Sequence, residues 1–341
     1  MTTADRVEAA IADRRAVVND AIDEELPVER PERLYSASRY LLDAGGKRLR
    51  PTILLLTAEA IAGVDPLSAD YRSFPSPAGG TVDVLSAAVA IEVIQSFTLI
   101  HDDIMDDDDL RRGVPAVHRE YDLETAILAG DTLYSKAFEY MLDTGAPAEY
   151  SVRALGELAT TCTEICEGQA LDVDFEDRET VTSEEYLEMV EFKTAVLYAA
   201  AASIPAILLG CADETVDALH AYGLDVGRAF QIQDDLLDLT VSSDALGKRR
   251  GSDLVEGKRT IITLHARGQG VDVDGLVGED PTDGEIQAAV ERLEAAGSLE
   301  YARDLAADLV ANGKRRVAVL PDNESRALLE DVADFLVERG Y

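Results

Sequence analysis

The chain has 341 residues, with 31 Lys or Arg against 67 Asp or Glu, for a formal net charge of −36. That surface repels phosphate backbones and excludes a nucleic-acid partner held by a basic face. Hydrophobic residues at 47% exclude a disordered chain, and three Cys exclude a disulfide framework, so a reducing cytoplasm is the expected compartment. From the first residues, MTTADRVEAAIADRR, which read as a polar helix start rather than a signal segment, the pattern is helical. Residues 4–24 form one amphipathic helix and 31–44 a second, stopped by Gly45-Gly46. Pro51 then sits in the first turn of a long apolar helix, where proline is tolerated. Residues 64–81, with Pro66, Pro75, Pro77 and Gly79-Gly80, form a loop. Helices follow over 82–106, 122–142, 149–171, 183–200, 204–209, 213–240, 284–296, 298–312 and 323–339, with a second loop over 268–284. The most apolar stretch, Ala195 to Ala212, is interrupted by Ser203, Pro205 and Gly210 and reads as a buried helix, not a membrane span. No repeat or low-complexity linker divides the chain, so one large all-α domain over residues 1–341 is expected.

The basic residues are biased. Only six are Lys (47, 136, 193, 248, 258 and 314) and the other 25 are Arg. A dense carboxylate surface poor in Lys fits a very salty cytosol, where charges are screened within about 3 Å at 1 M salt. Lysines that persist on such a surface are candidates for a function, and four of the six fall in the motifs below.

Two aspartate-rich motifs stand on helices. The first, IEVIQSFTLIHDDIMDDDDLRRG over 91–113, places six Asp among the eight residues from Asp102 to Asp109. At about 100° per residue, Asp102 and Asp106 share a face, with Gln95 and Thr98 below them. Val93, Phe97, Ile100 and Ile104 lie on the opposite side. In so acidic a chain a solvated face is the plain alternative, yet this run follows directly on an apolar helix. The second motif, AFQIQDDLLDL over 229–239, places Asp234 and Asp238 on a face with Phe230 and Gln231, against Ile232, Leu236 and Leu239. Like carboxylates in apolar surroundings are costly unless a cation sits between them. Hard oxygen donors without His or Cys suit magnesium, which binds few carboxylates and completes its shell with water and substrate phosphate.

The positive half of a diphosphate site is also present. Gly45-Gly46-Lys47-Arg48-Leu49-Arg50-Pro51 sets Lys47 and Arg50 at a helix start, where free N–H groups and the dipole favour anions. Arg111-Arg112 suits bidentate phosphate contacts. Lys193-Thr194 precedes the Ala-rich stretch, and Lys248, Asp253 and Lys258 lie in GKRRGSDLVEGKRT. Together these read as diphosphate pockets beside magnesium, and hence as a reaction in which diphosphate departs. Cys162 and Cys166, four apart on a helix, have no partners at metal-binding spacing and read as core.

These residues resemble the trans-prenyltransferases, the polyprenyl diphosphate synthase family. The matching segments are GGKRLRP (45–51), LIHDDIMDDDDLRRG (99–113), GQALD (168–172), KTAVLY (193–198), FQIQDDLLD (230–238) and 247–260, in the family's order. The resemblance implies an all-α bundle around a deep central cavity, usually homodimeric. It implies three magnesium ions held by Asp102, Asp106 and Asp234, with Asp103, Asp235 and Asp238 supporting. Arg111, Lys193, Gln231, Lys258 and Lys248 would contact an allylic prenyl diphosphate. Lys47, Arg50, Gln95 and Arg112 would hold isopentenyl diphosphate. The allylic carbon–oxygen bond would break, the double bond of isopentenyl diphosphate would attack, and Thr194 and Gln231 would stabilise the cation. Gln169 and Asp172 would line the cavity. Gln95 stands where many relatives have His, and the insertion that marks the bacterial farnesyl-type group is absent between the first aspartates.

Product length in the family follows the residues before the first motif. Phe97 at position minus five, small Thr98 at minus four and no insertion resemble archaeal-type geranylgeranyl diphosphate synthases, with Phe97 as the cavity floor and a twenty-carbon product. Wheel geometry instead puts Phe97 about 140° from Asp102, on the apolar face. Longer (geranylfarnesyl) or shorter (farnesyl) products are the alternatives. A cyclase needs no second diphosphate pocket such as GGKRLRP, and a silent partner subunit characteristically loses one aspartate motif. A generic acidic ion binder leaves the clustered lysines unexplained.

Overall fold

The computed structural model describes residues 2–242, 250–278 and 280–338. In chain order they form α1 (Thr3–Glu25), α2 (Glu32–Asp43), α3 (Leu49–Ala62), a ribbon of β1 (Phe74–Pro75) and β2 (Thr81–Val82), and α4 (Val84–Met105). A second ribbon of β3 (Leu110–Arg111) and β4 (Val114–Pro115) leads to α5 (Val117–Glu120), α6 (Leu123–Leu142) and α7 (Ala148–Asp177). Then come α8 (Ser183–Val190), a π-helical turn (Glu191–Ala195), α9 (Val196–Leu208) and α10 (Asp213–Thr240). The chain continues with α11 (Ser252–Val255), α12 (Ile261–Gly268), α13 (Asp283–Ala295), α14 (Ser298–Val317) and α15 (Glu324–Glu338).

The all-α expectation holds, and local chemistry explains the helix starts. Thr2, Thr182, Thr260 and Thr282 each cap the helix that follows, with the residue three on closing a reciprocal box. The differences from the expected elements are short ones. The 64–81 loop ends in the β1–β2 ribbon, with Phe74 opposite Val82. The β3–β4 ribbon, α5, α11 and α12 are additions; each is eight residues or fewer, too short to show a periodic pattern. No break occurs between 200 and 204: α9 runs through Pro205, its Ala-rich turns wholly buried, so packing outweighs the proline cost. The irregularity lies earlier, in the π turn at Glu191–Ala195.

The chain divides into two compact units. The first comprises Met1–Cys162, Ala200–His220 and Val317–Asp331. Here α4 packs most extensively on α6 and also on α3. Arg14 and Glu59, both fully buried, pair at 2.6 Å, and Ser325 donates to the same carboxylate at 2.8 Å. The second unit comprises Thr163–Ala199, Ala221–Arg316 and Val332–Tyr341. In it α7 meets the π turn at Gly168, where an added Cβ would lie 2.2 Å from the Lys193 amide nitrogen, so only glycine fits. Two stretches, Val84–Met105 and Ser183–Leu208, are long and apolar enough to cross a membrane by composition, and both are mostly buried within the protein, as core helices are.

Candidate active site

In the first unit, α4 ends in the first acidic motif. Asp102 is half-buried, and Asp106, exposed, caps the helix with its N–H on the Asp102 carbonyl at 2.8 Å. The terminal carbonyls add partial negative charge to that of the carboxylates. Asp103 turns inward instead and is fully buried. Arg111, on β3, donates through Nε to Asp103 Oδ1 at 2.6 Å and through Nη2 to Asp108 at 2.9 Å. Asp103 Oδ2 is buried without a hydrogen-bond partner. Burial pushes the Asp103 carboxyl above its usual range, against the pull of Arg111.

The glycine turn before α3 is held from within. Arg48, at φ 52° and 3% exposed, donates to Glu92 at 2.6 Å and to the Leu42 carbonyl at 2.7 Å. Arg112 donates to the Leu41 carbonyl at 2.9 Å and to the Gly45 carbonyl, and its guanidinium lies 3.7 Å from Glu92. Burial lowers the pKa of Arg112; Glu92 offsets this, while Arg48, Arg111 and Arg50 add to the lowering. Two arginines, Arg48 and Arg112, thus share the buried Glu92 carboxylate. Lys47 is exposed at the turn, Arg50 is half-buried in the first turn of α3, and Gln95 lies half-buried one turn beyond Glu92.

Further up α4, Phe97 and Thr98 diverge. Both are half-buried. The Phe97 ring sits 5.0 Å from His101 and 5.3 Å from Tyr134 on α6. Thr98, one turn before Asp102, shares the Asp102 side.

In the second unit, the second motif lies inside α10. Asp234 is half-buried, while Asp235 and Asp238 are buried. Asp238 accepts from Ser252 at 2.8 Å and from the Asp253 N–H at 3.2 Å, pinning α11 to α10. Asp235 accepts from the Tyr186 hydroxyl and from Gln231 Nε2 at 3.1 Å. Gln231 Oε1 in turn accepts from Thr194 at 3.1 Å. Lys193 pairs with Asp172 at 2.6 Å. Both Lys193 and Thr194 stand on the π turn, a local device that re-aims side chains at functional sites. Burial, then the charge of Asp253, drives the Asp235 carboxyl upward.

A cavity of about 130 Å³ collects Lys193, Thr194, Gln231 and Lys258 with Asp172, Tyr186, Asp235 and Asp253. Lys258 is half-exposed there, 2.9 Å from Glu256 and 3.9 Å from Asp253. Lys248 lies outside the described residues. Among the described residues no three His, Cys, Asp or Glu side chains gather tightly enough to hold a metal by themselves. The donors at both motifs are carboxylate oxygens, at one motif beside a helix C-terminus, which fits magnesium completed by substrate phosphate. Glu92, Arg48 and Tyr186 were not legible as site residues: an isolated Glu or Tyr on an apolar helix has no sequence signal of its own.

Comparison with known proteins matches residues 31–293 to the polyprenyl synthetase family. The chain is 80% identical to a geranylfarnesyl diphosphate synthase of Natronomonas pharaonis, over 100% of both chains. It resembles the solved geranylgeranyl pyrophosphate synthetase of Geoglobus acetivorans at 43% identity and TM-score 0.87, covering 96% of this chain and 99% of the other. It also resembles a Corynebacterium glutamicum geranylgeranyl pyrophosphate synthase complexed with isoprenyl diphosphate and magnesium, at 30% identity and TM-score 0.81, covering 98% and 99%. With the all-α isoprenoid synthase fold and the motifs in place, this chain belongs to the polyprenyl synthetase family of prenyltransferases.

Proposed function

We propose that the chain condenses isopentenyl diphosphate head to tail with allylic prenyl diphosphates and releases a twenty-five-carbon product, geranylfarnesyl diphosphate. The cavity that joins Lys193, Thr194, Gln231 and Lys258 carries the reading of the chemistry. Asp102, Asp106 and Asp234 hold magnesium, three ions per site, which supplies charge stabilisation to the departing diphosphate. Lys193, Lys258 and Arg111 neutralise the allylic diphosphate, with Lys248 as a further contact. Lys47, Arg50, Arg112 and Gln95 hold isopentenyl diphosphate, with Glu92 fixing Arg112. Thr194 and Gln231 turn oxygens toward the developing cation, and the cavity excludes water. No protein nucleophile is needed, because the isopentenyl double bond attacks the allylic carbon, and no protein base, because the released diphosphate takes the proton.

Two observations support twenty-five carbons. One is the 80% identity to a protein named geranylfarnesyl diphosphate synthase. The other is that Phe97 leans on Tyr134 of α6, which leaves small Thr98 on the Asp102 side. The twenty-carbon reading rests on Phe97 as the floor and is the second reading. A second copy of the chain fits the exposed apolar side of α6, where Leu123, Ile127, Leu128 and Leu142 are 40–56% exposed. The three cysteines are free; Cys162 is buried in the core as expected, whereas Cys166, expected in the core, is exposed.

The test is a product assay in molar potassium chloride with magnesium, isopentenyl diphosphate and dimethylallyl, geranyl or farnesyl diphosphate in turn. A twenty-five-carbon diphosphate is expected, shortened to twenty or fewer carbons by Thr98→Phe. A twenty-carbon product that Phe97→Ala lengthens would give the floor to Phe97 and the second reading its due. No condensation would overturn the function.

A further inference from the structure

We infer that Tyr186 is a positioning residue for the condensation, acting through Asp235 and Gln231 to set the polarity of the Thr194 hydroxyl. This rests on the proposed function and adds a residue to it.

The argument is one of hydrogen-bond direction. Tyr186 is 2% exposed, and its hydroxyl lies among three carboxylates, those of Asp235, Asp253 and Asp172. It donates to Asp235 Oδ2. The other oxygen, Oδ1, accepts from Gln231 Nε2 at 3.1 Å. Both Asp235 oxygens are acceptors in these contacts, so Gln231 presents its NH₂ to Asp235 and its carbonyl oxygen away from it. That oxygen meets the Thr194 hydroxyl at 3.1 Å. Thr194 therefore spends its single proton on Gln231. Its lone pairs are left for the cavity that Lys193, Gln231 and Thr194 line.

A four-member chain, Tyr186 to Asp235 and Thr194 through Gln231 to Asp235, thus delivers two electron-rich oxygens to one wall. Chains of this kind polarise along their length. Asp235, although part of the aspartate motif, is turned away from a metal-binding role by these two donors. Without the Tyr186 donor, Oδ2 of a buried carboxylate has lost its partner and Asp235 is free to rotate. Gln231 then loses its fixed orientation, and Thr194 can point its proton into the cavity.

The experiment compares kcat and both KM values for the full chain, Tyr186→Phe, Thr194→Val and the double variant, with thermal unfolding of each. Outer partners that orient functional groups are worth 10–100-fold, so kcat of Tyr186→Phe should fall about tenfold, with both KM values changed less than about twofold. In the Thr194→Val background the same change should cost less than about twofold, because the chain has already lost its end. Multiplicative losses, or a rise in KM with kcat intact, would make Tyr186 merely structural and overturn the proposal. If Tyr186→Phe does not fold, Asp235→Asn takes its place. Its NH₂ reverses the chain, and an unchanged kcat there overturns the proposal equally. A parent chain that fails to condense the diphosphates overturns the function; a parent that condenses while Tyr186→Phe matches it overturns only the role of Tyr186.

Discussion

The two aspartate motifs read almost alike in sequence and are built differently. The first closes a helix: Asp106 is its cap, and Asp102 stands in the last turn, where the helix carbonyls reinforce its charge. The second lies within α10, flanked by buried Leu236, Leu237 and Leu239. Yet both motifs divide labour in the same way. The leading aspartate, Asp102 or Asp234, is half-exposed, while the next, Asp103 or Asp235, is buried and held by protein donors. Arg111 does this in the first case, and Tyr186 with Gln231 in the second. A repeated motif therefore does not mean two copies of one device. Adjacent residues on a helix differ by about 100°, so one carboxylate can face substrate only if its neighbour faces the protein.

The comparison can be broken at several points. The largest effect is expected at the leading positions: Asp102→Ala or Asp234→Ala should lower kcat about a thousandfold, as removal of a main electrostatic group does, with little change in thermal midpoint. Arg111→Ala should act on both activity and stability. It leaves Asp103 buried and uncompensated, which costs about 2–3 kcal/mol, discounted because Arg111 is itself 29% exposed; chemical denaturation reads this directly. The smallest expected effect lies away from the chemistry. Glu185 closes the capping box of α8 and also accepts from Arg178 at 2.6 Å. The Thr182 backbone N–H, then Arg178 and the Thr182 hydroxyl, hold its carboxyl down at about 2, against an ordinary 4.5. A depressed carboxyl stabilises the fold above its unfolded pKa and loses that contribution as pH falls through the folded one. Glu185→Gln should therefore unfold slightly earlier than the parent at pH 7, and the gap should close between pH 4.5 and about 2.

The long helices were legible because their apolar spacing is strong and their caps are explicit. The motifs were legible because unusual residue types recur at fixed intervals. Three things were not. The π turn leaves no mark in EFKTA; it lies where α7 brings Gly168 against the Lys193 backbone. The inward turn of Asp103 and Asp235 is decided by partners 8 and 49 residues away. Glu92, which holds Arg48 and Arg112, looks like one acid among 67. The wheel places Phe97 on the apolar face, and in the structure its ring meets Tyr134 of α6.

The division of labour within the motifs is tested most directly by the magnesium concentration that half-saturates condensation in four Asp→Asn variants, at positions 102, 103, 234 and 235. The account predicts a clear rise for Asp102→Asn and Asp234→Asn. For Asp103→Asn and Asp235→Asn it predicts an unchanged magnesium requirement, with the loss falling on stability or kcat. Equal rises in all four, or a rise confined to Asp103→Asn and Asp235→Asn, would contradict it.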